Sequence, residues 1–74
     1  MIQSILFNKD QWTRRQANKW LKEHNYIVKY PGKSGAHETK NQLRYRQLIP
    51  IKGANYSIKT LPDEGIEYVL MYID

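Results

Sequence analysis

The chain has 74 residues, no cysteine, and 12 Lys and Arg against 7 Asp and Glu, for a formal charge of +5. So short a chain fits one domain with a thin core, since it buries only about 60% of the surface its unfolded form exposes. Disulfides are excluded, and His24 and His37 lack a second ligand pair at a zinc spacing, so the sequence predicts neither a metal nor a cofactor.

Without those staples, self-association or docking on a larger partner becomes the expected source of extra stability. The absence of cysteine fits an intracellular protein. The apolar run at residues 2–7 is too short for a signal peptide and lacks a basic start. Nothing approaches the roughly 20 apolar residues of a membrane span, so no membrane partner is predicted. Excess positive charge favours an anionic partner, because phosphate neutralisation drives sequence-independent nucleic-acid binding. Solubility alone also accounts for such charge.

Residues 2–7 read as a first strand, although their apolar residues do not alternate cleanly. Residues 12–25 carry a helix signature. Thr13 and Gln16 have capping-box spacing, Trp12 and Ala17 stand at staple positions, and Ala17, Trp20, Leu21 and His24 recur on one face. Asn25 suits a left-handed C-cap. Arg15, Lys19 and Lys22 form a basic stripe opposite the apolar face, a surface that is ordinarily just solvated. Residues 26–30 are β-rich and stopped by Pro31-Gly32, and 33–40 read as a polar loop.

Residues 42–48 alternate, with Leu43 and Tyr45 on one face and Arg44 and Arg46 on the other. Residues 56–61 and 66–73 flank Pro62-Asp63-Glu64-Gly65, which predicts a hairpin. The last strand is apolar on both parities, as expected of an interior strand or a contact surface. The fold class expected is α+β, order β-α-β-β-β, with one amphipathic helix on one face of a small, mostly antiparallel sheet.

Catalytic motifs are incomplete. Gly32-Lys33-Ser34 resembles the end of a phosphate-binding loop, but Ile27 stands where its first glycine is needed. Asp63 and Glu67 resemble half of a metal-dependent nuclease site, yet Val69 occupies the lysine's place. His37 and Glu38 are a base beside an orienting carboxylate, with no nucleophile placed by any motif. No enzyme activity and no small-molecule substrate are therefore predicted. The sheet is more informative. One helix covers one face, so Arg44 and Arg46, with Lys29 and Lys59 at comparable alternating positions, form a candidate binding surface for protein or nucleic acid. Basic residues on exposed strands also serve simply to deter edge pairing.

Trp12-Thr13, Ala17, Trp20-Leu21-Lys22-Glu23-His24, Glu38-Thr39-Lys40-Asn41, Leu43-Arg44-Tyr45-Arg46-Gln47 and Gly65-Ile66 together resemble a short domain of uncharacterised function. That domain occurs in proteins of tailed phages and large DNA viruses, alone or beside prohead-protease and other virion-related domains. The similarity runs from about Phe7 to Ile73, and residues 30–36 look longer than the family's usual link. The resemblance implies a viral setting, in the infected cell's cytoplasm or in the virion. The function expected is a non-catalytic accessory module that binds protein, with a nucleic-acid-binding domain as the alternative. Glu38 is expected either to pair with the arginines or to leave them free as the binding surface.

Overall fold

The structure is a computed structural model that describes residues 1–29 and 37–73. Five strands, β1 (Ile2–Asn8), β2 (His37–Glu38), β3 (Gln42–Arg46), β4 (Asn55–Leu61) and β5 (Ile66–Tyr72), and one helix, α1 (Arg14–Glu23), make up the α+β fold. All strand pairs are antiparallel, in the order β2-β3-β1-β5-β4. The central strand is therefore the first in sequence.

The irregular apolar pattern of β1 has a local cause. Between Ile2 and Ser4 the register against β5 slips, so Gln3 is an extra residue in the strand. A β-bulge of this kind reverses the in–out parity beyond it. Ile5 and Phe7 face the helix and are fully buried, and Ile2, which uninterrupted alternation would turn outward, packs against the same core.

Helix α1 begins as its sequence dictates. The Thr13 hydroxyl accepts from the Gln16 backbone N–H, and the Gln16 side chain accepts from the Thr13 N–H at 3.0 Å, completing the capping box. It ends at Asn25, whose φ of +61° is left-handed. There the Tyr26 N–H donates to the Leu21 carbonyl at 2.8 Å and the Asn25 N–H to that of Lys22 at 3.2 Å, the paired bonds of a Schellman stop.

Leu21 and Ala17 are buried with Ile5, Phe7, Leu43, Tyr45 and Ile66. Phe7 is the centre of this core. Trp12, Trp20 and Tyr45 each meet its ring edge-on, with centroids 5.0, 5.6 and 5.5 Å away. Trp20 lies at the margin of the apolar face and stays partly exposed. His24 is more exposed still, contrary to its expected place on that face. Its ring stacks on Trp20 at 3.9 Å, and Nδ1–H donates to the Trp20 carbonyl at 2.7 Å.

Two further expectations need correction. The β-rich segment after the helix forms no strand over 26–29, because the amide of Gln47 takes the place of a neighbouring strand: it accepts from the Ile27 N–H and donates to the Ile27 carbonyl, both at 2.8 Å. The polar loop, in turn, contains the short strand β2, which forms a tight hairpin with β3. The Thr39 N–H donates to the Gln42 carbonyl at 2.9 Å, and the Gln42 N–H to the Thr39 hydroxyl at 3.1 Å. Gly32-Lys33-Ser34, the incomplete phosphate loop, lies outside the described residues. Among the described residues no helix is long and apolar enough to cross a membrane.

Candidate functional site

Cross-strand register assigns every strand side chain to a face. Tyr45 pairs with Ile5, Tyr68 pairs with Ile5 from the other side, and these belong to the helix-covered face. Arg44 pairs with Leu6 and Arg46 with Ser4, so both arginines lie on the opposite, open face as their parity predicts. Continuing across the sheet, Leu6 pairs with Glu67 and then Thr60, while Ser4 pairs with Val69 and then Ile58. Met71 and Tyr56 form the last row, and Met71, like Ser4, is buried although it belongs to this face, which leaves Tyr56 and Ile58 as its exposed apolar side chains on β4. The open face is thus basic over β3 and largely apolar over β5 and β4.

The four basic residues of the predicted surface do not come together. Lys59 pairs with Tyr68, which puts it on the helix side of β4, away from the arginines. Lys29 follows the helix stop in an irregular bend and belongs to no strand, so the alternation used to place it does not apply. Arg44 is half-buried. Its Nε donates to the Ser4 hydroxyl at 3.3 Å and one terminal nitrogen to Gln3 Oε1 at 3.2 Å. Ser4 and Gln3 are themselves buried, and the Ser4 hydroxyl donates to Gln3 Oε1 at 2.6 Å. Gln3 Nε2 completes the cluster by donating to the Leu48 carbonyl at 2.9 Å, which ties the β3–β4 crossover to the bulge. Arg46 makes no such bond to any described residue.

Glu38 pairs with neither arginine of β3. It faces the helix side, opposite Leu43, where Lys9 Nζ donates to Oε2 at 2.7 Å and Arg14 donates to Oε1 at 3.1 and 3.2 Å. The hydrogen bond from Lys9, followed by that from Arg14 and the attraction of the Lys9 charge, holds its carboxyl below the ordinary value of 4.5. His37, opposite Arg44, is on the other face, so the base-and-carboxylate pair suggested by adjacency is split by the strand's own alternation. Asp63 is exposed in the hairpin turn, and Glu67 accepts from Gln42 Nε2 at 2.7 Å, so these two carboxylates have separate surroundings. The phenol of Tyr45 is pushed above 10.0 by burial and donates to Asn18 at 2.7 Å.

No family model, no curated protein and no solved structure matches the chain. The functional reading therefore rests on the molecule's own surface.

Within the Glu38–Gln47 string, most side chains have architectural duties. Glu38 ties three segments, Thr39 closes a turn, Leu43 and Tyr45 fill the core, and Gln47 holds Ile27. Arg46 is left over. Sequence reasoning missed a different feature, the β4 edge. All of β4 except Leu61 is exposed, with Tyr56 at 47% and Ile58 at 64%, and Leu48, Ile49 and Ile51 of the crossover are exposed too. The signal was present in the alternation of Tyr56 and Ile58 with Ser57 and Lys59, but which strand would be outermost is a property of the sheet order. On the helix, Arg15, Lys19 and Lys22 are exposed and point away from Ala17 and Leu21, as the stripe predicts.

Proposed function

We propose that the chain is a small, non-catalytic protein-binding module that docks through the β4 edge and the apolar half of the open sheet face. The observation that carries this reading is the seven-residue strand β4, outermost in the sheet and exposing Tyr56 and Ile58. Exposed edge strands are usually short, bulged, or studded with charge or proline, since their free amide and carbonyl groups otherwise recruit another strand. Strand β4 has one lysine, no proline, and an unbroken register with β5. The opposite edge, β2, has only two residues.

The viral setting belongs to the same proposal and is supported by the resemblance of the Glu38–Gln47 string: an accessory component acting in the infected cell or in the virion. A nucleic-acid role is the second reading, and the exposed stripe of Arg15, Lys19 and Lys22 favours it. A phosphate-reading sheet face built on Arg44, Arg46, Lys29 and Lys59 has less support, since those cations are divided between two faces and a bend.

A photo-crosslinking amino acid placed at position 58, with position 19 as the comparison, tests the assignment in cells that produce the protein. Protein adducts concentrated at position 58 are the expected result. Adducts to nucleic acid alone, or protein adducts equally abundant from position 19, would overturn it.

A further inference from the structure

Building on that reading of β4, we infer that the strand pairs antiparallel with the β4 of a second copy, about a two-fold axis at Ile58, to form a continuous ten-stranded sheet. An axis perpendicular to the sheet keeps each face with its like. Residues of the same parity then oppose each other, and the register is fixed by their sum.

Three observations select this register. With Ile58 on the axis, Asn55 lies opposite Leu61, so all seven residues of β4 are overlapped, which no other register achieves. The open face then brings the two Ile58 side chains together and places Tyr56 against Thr60, pairs suited to a pleated surface. On the helix side Lys59 meets Ser57. A shift of the axis by one residue to Lys59 would instead oppose two ammonium groups.

The chain turns at both ends of β4, so the ladder stops there, and antiparallel pairing sets the turn that holds Lys52 in one copy near the turn that holds Asp63 and Glu64 in the other. Lys52, Asp63 and Glu64 are exposed, and none of their side chains has an ion-pair partner among the described residues. The two-fold generates this opposite-charge approach twice. A formal charge of +5 opposes association of the whole chain, but β4 carries a single lysine and is flanked by one basic and one acidic turn.

The deciding experiment is sedimentation of the wild type, Ile58→Lys and Ile58→Glu from micromolar to millimolar concentration. The wild type is expected to dimerise. Each variant alone places like charges at the axis and weakens association by at least roughly tenfold, while an equimolar mixture restores the dimer as a heterodimer. Ile58 is solvent-facing, so the variants should fold, and circular dichroism checks this. As an independent probe of the antiparallel orientation, Lys52→Glu weakens dimerisation roughly threefold and the added Glu64→Lys restores it, the scale of exposed opposite charges.

A wild type that stays monomeric at millimolar concentration, or a dimer indifferent to both Ile58 variants, overturns the self-pairing. A crosslink from position 58 at the mass of two chains supports it. A crosslink at another mass, with the wild type monomeric, rejects the second copy as partner while leaving β4 as a protein-docking edge. The absence of any protein adduct removes both.

Discussion

Arg44 and Arg46 are two residues apart, share a face and are both half-buried, but differ in their hydrogen bonds. Arg44 reaches across the central strand to Gln3 and Ser4, where its donors satisfy acceptors that the bulge has buried. Arg46, opposite the small Ser4, has no bond of this kind to any described residue. Their contributions to stability should therefore separate. Arg44→Leu is expected to cost about 1–2 kcal/mol, because a buried acceptor loses a charged donor. Arg46→Leu should stay within about 0.5 kcal/mol. Urea denaturation of the two variants measures the difference, and equal losses would contradict the asymmetry. Alternation along β3 was sufficient to put both residues on one face. It carried no information about the bulge in β1, and so none about which arginine would be anchored.

Among the elements, the short strand β2 is tied to β1 and α1 through Glu38. One carboxylate binds Lys9, just after β1, and Arg14, in the first turn of α1. The folded carboxyl is held below its ordinary value, chiefly by the hydrogen bond from Lys9. Its stabilising contribution is thus fully present above the unfolded value and is lost as pH falls through the folded one. Glu38→Gln should lower stability slightly at neutral pH and flatten the loss of stability below the ordinary carboxylate value of 4.5. The group is exposed, so the effect is small and fades in salt. Stability measured at neutral pH and near pH 3 tests this, and identical pH dependence in wild type and variant would refute the tie. The sequence made Glu38 a candidate partner of Arg44 or Arg46 because it stands close to them in the chain. Hairpin pairing turned it instead to the helix side, beside cations that lie more than twenty residues away.

On the scale of the whole molecule, the positive charge is dispersed. Lys9 and Arg14 share Glu38, Arg44 turns inward, Lys59 occupies the helix side of an edge, and Arg15, Lys19 and Lys22 line the outer helix. Such a distribution attracts phosphate backbones, and the concavity that Arg15, Lys19 and Lys22 line is open to solvent and shared with Glu23. Binding to labelled single- and double-stranded DNA and RNA is therefore expected to be no tighter than about 10⁻⁶ M at physiological salt and to fall steeply as salt rises. Changing Arg15, Lys19 and Lys22 to Gln should reduce the salt slope by roughly two to three units, while the Arg44→Gln, Arg46→Gln double variant changes it by less than about one. Nanomolar binding that depends on the arginine pair would restore the sheet face as a nucleic-acid site and displace the protein-contact reading.

The sequence by itself determined what depends on neighbours in the chain. The Thr13–Gln16 cap, the Asn25 stop, the buried Ala17 and Leu21, the opposed parities of β3 and the turn between β4 and β5 all follow from local backbone geometry and periodicity. Sheet order, the bulge at Gln3, the substitution of the Gln47 amide for a strand, and the exposure of β4 were decided only in the tertiary structure. Each depends on which distant segments meet. A strand's amides and carbonyls look the same in sequence whether a neighbour, a side chain or solvent satisfies them, and it is the order β2-β3-β1-β5-β4 that puts β4 at the edge of the sheet.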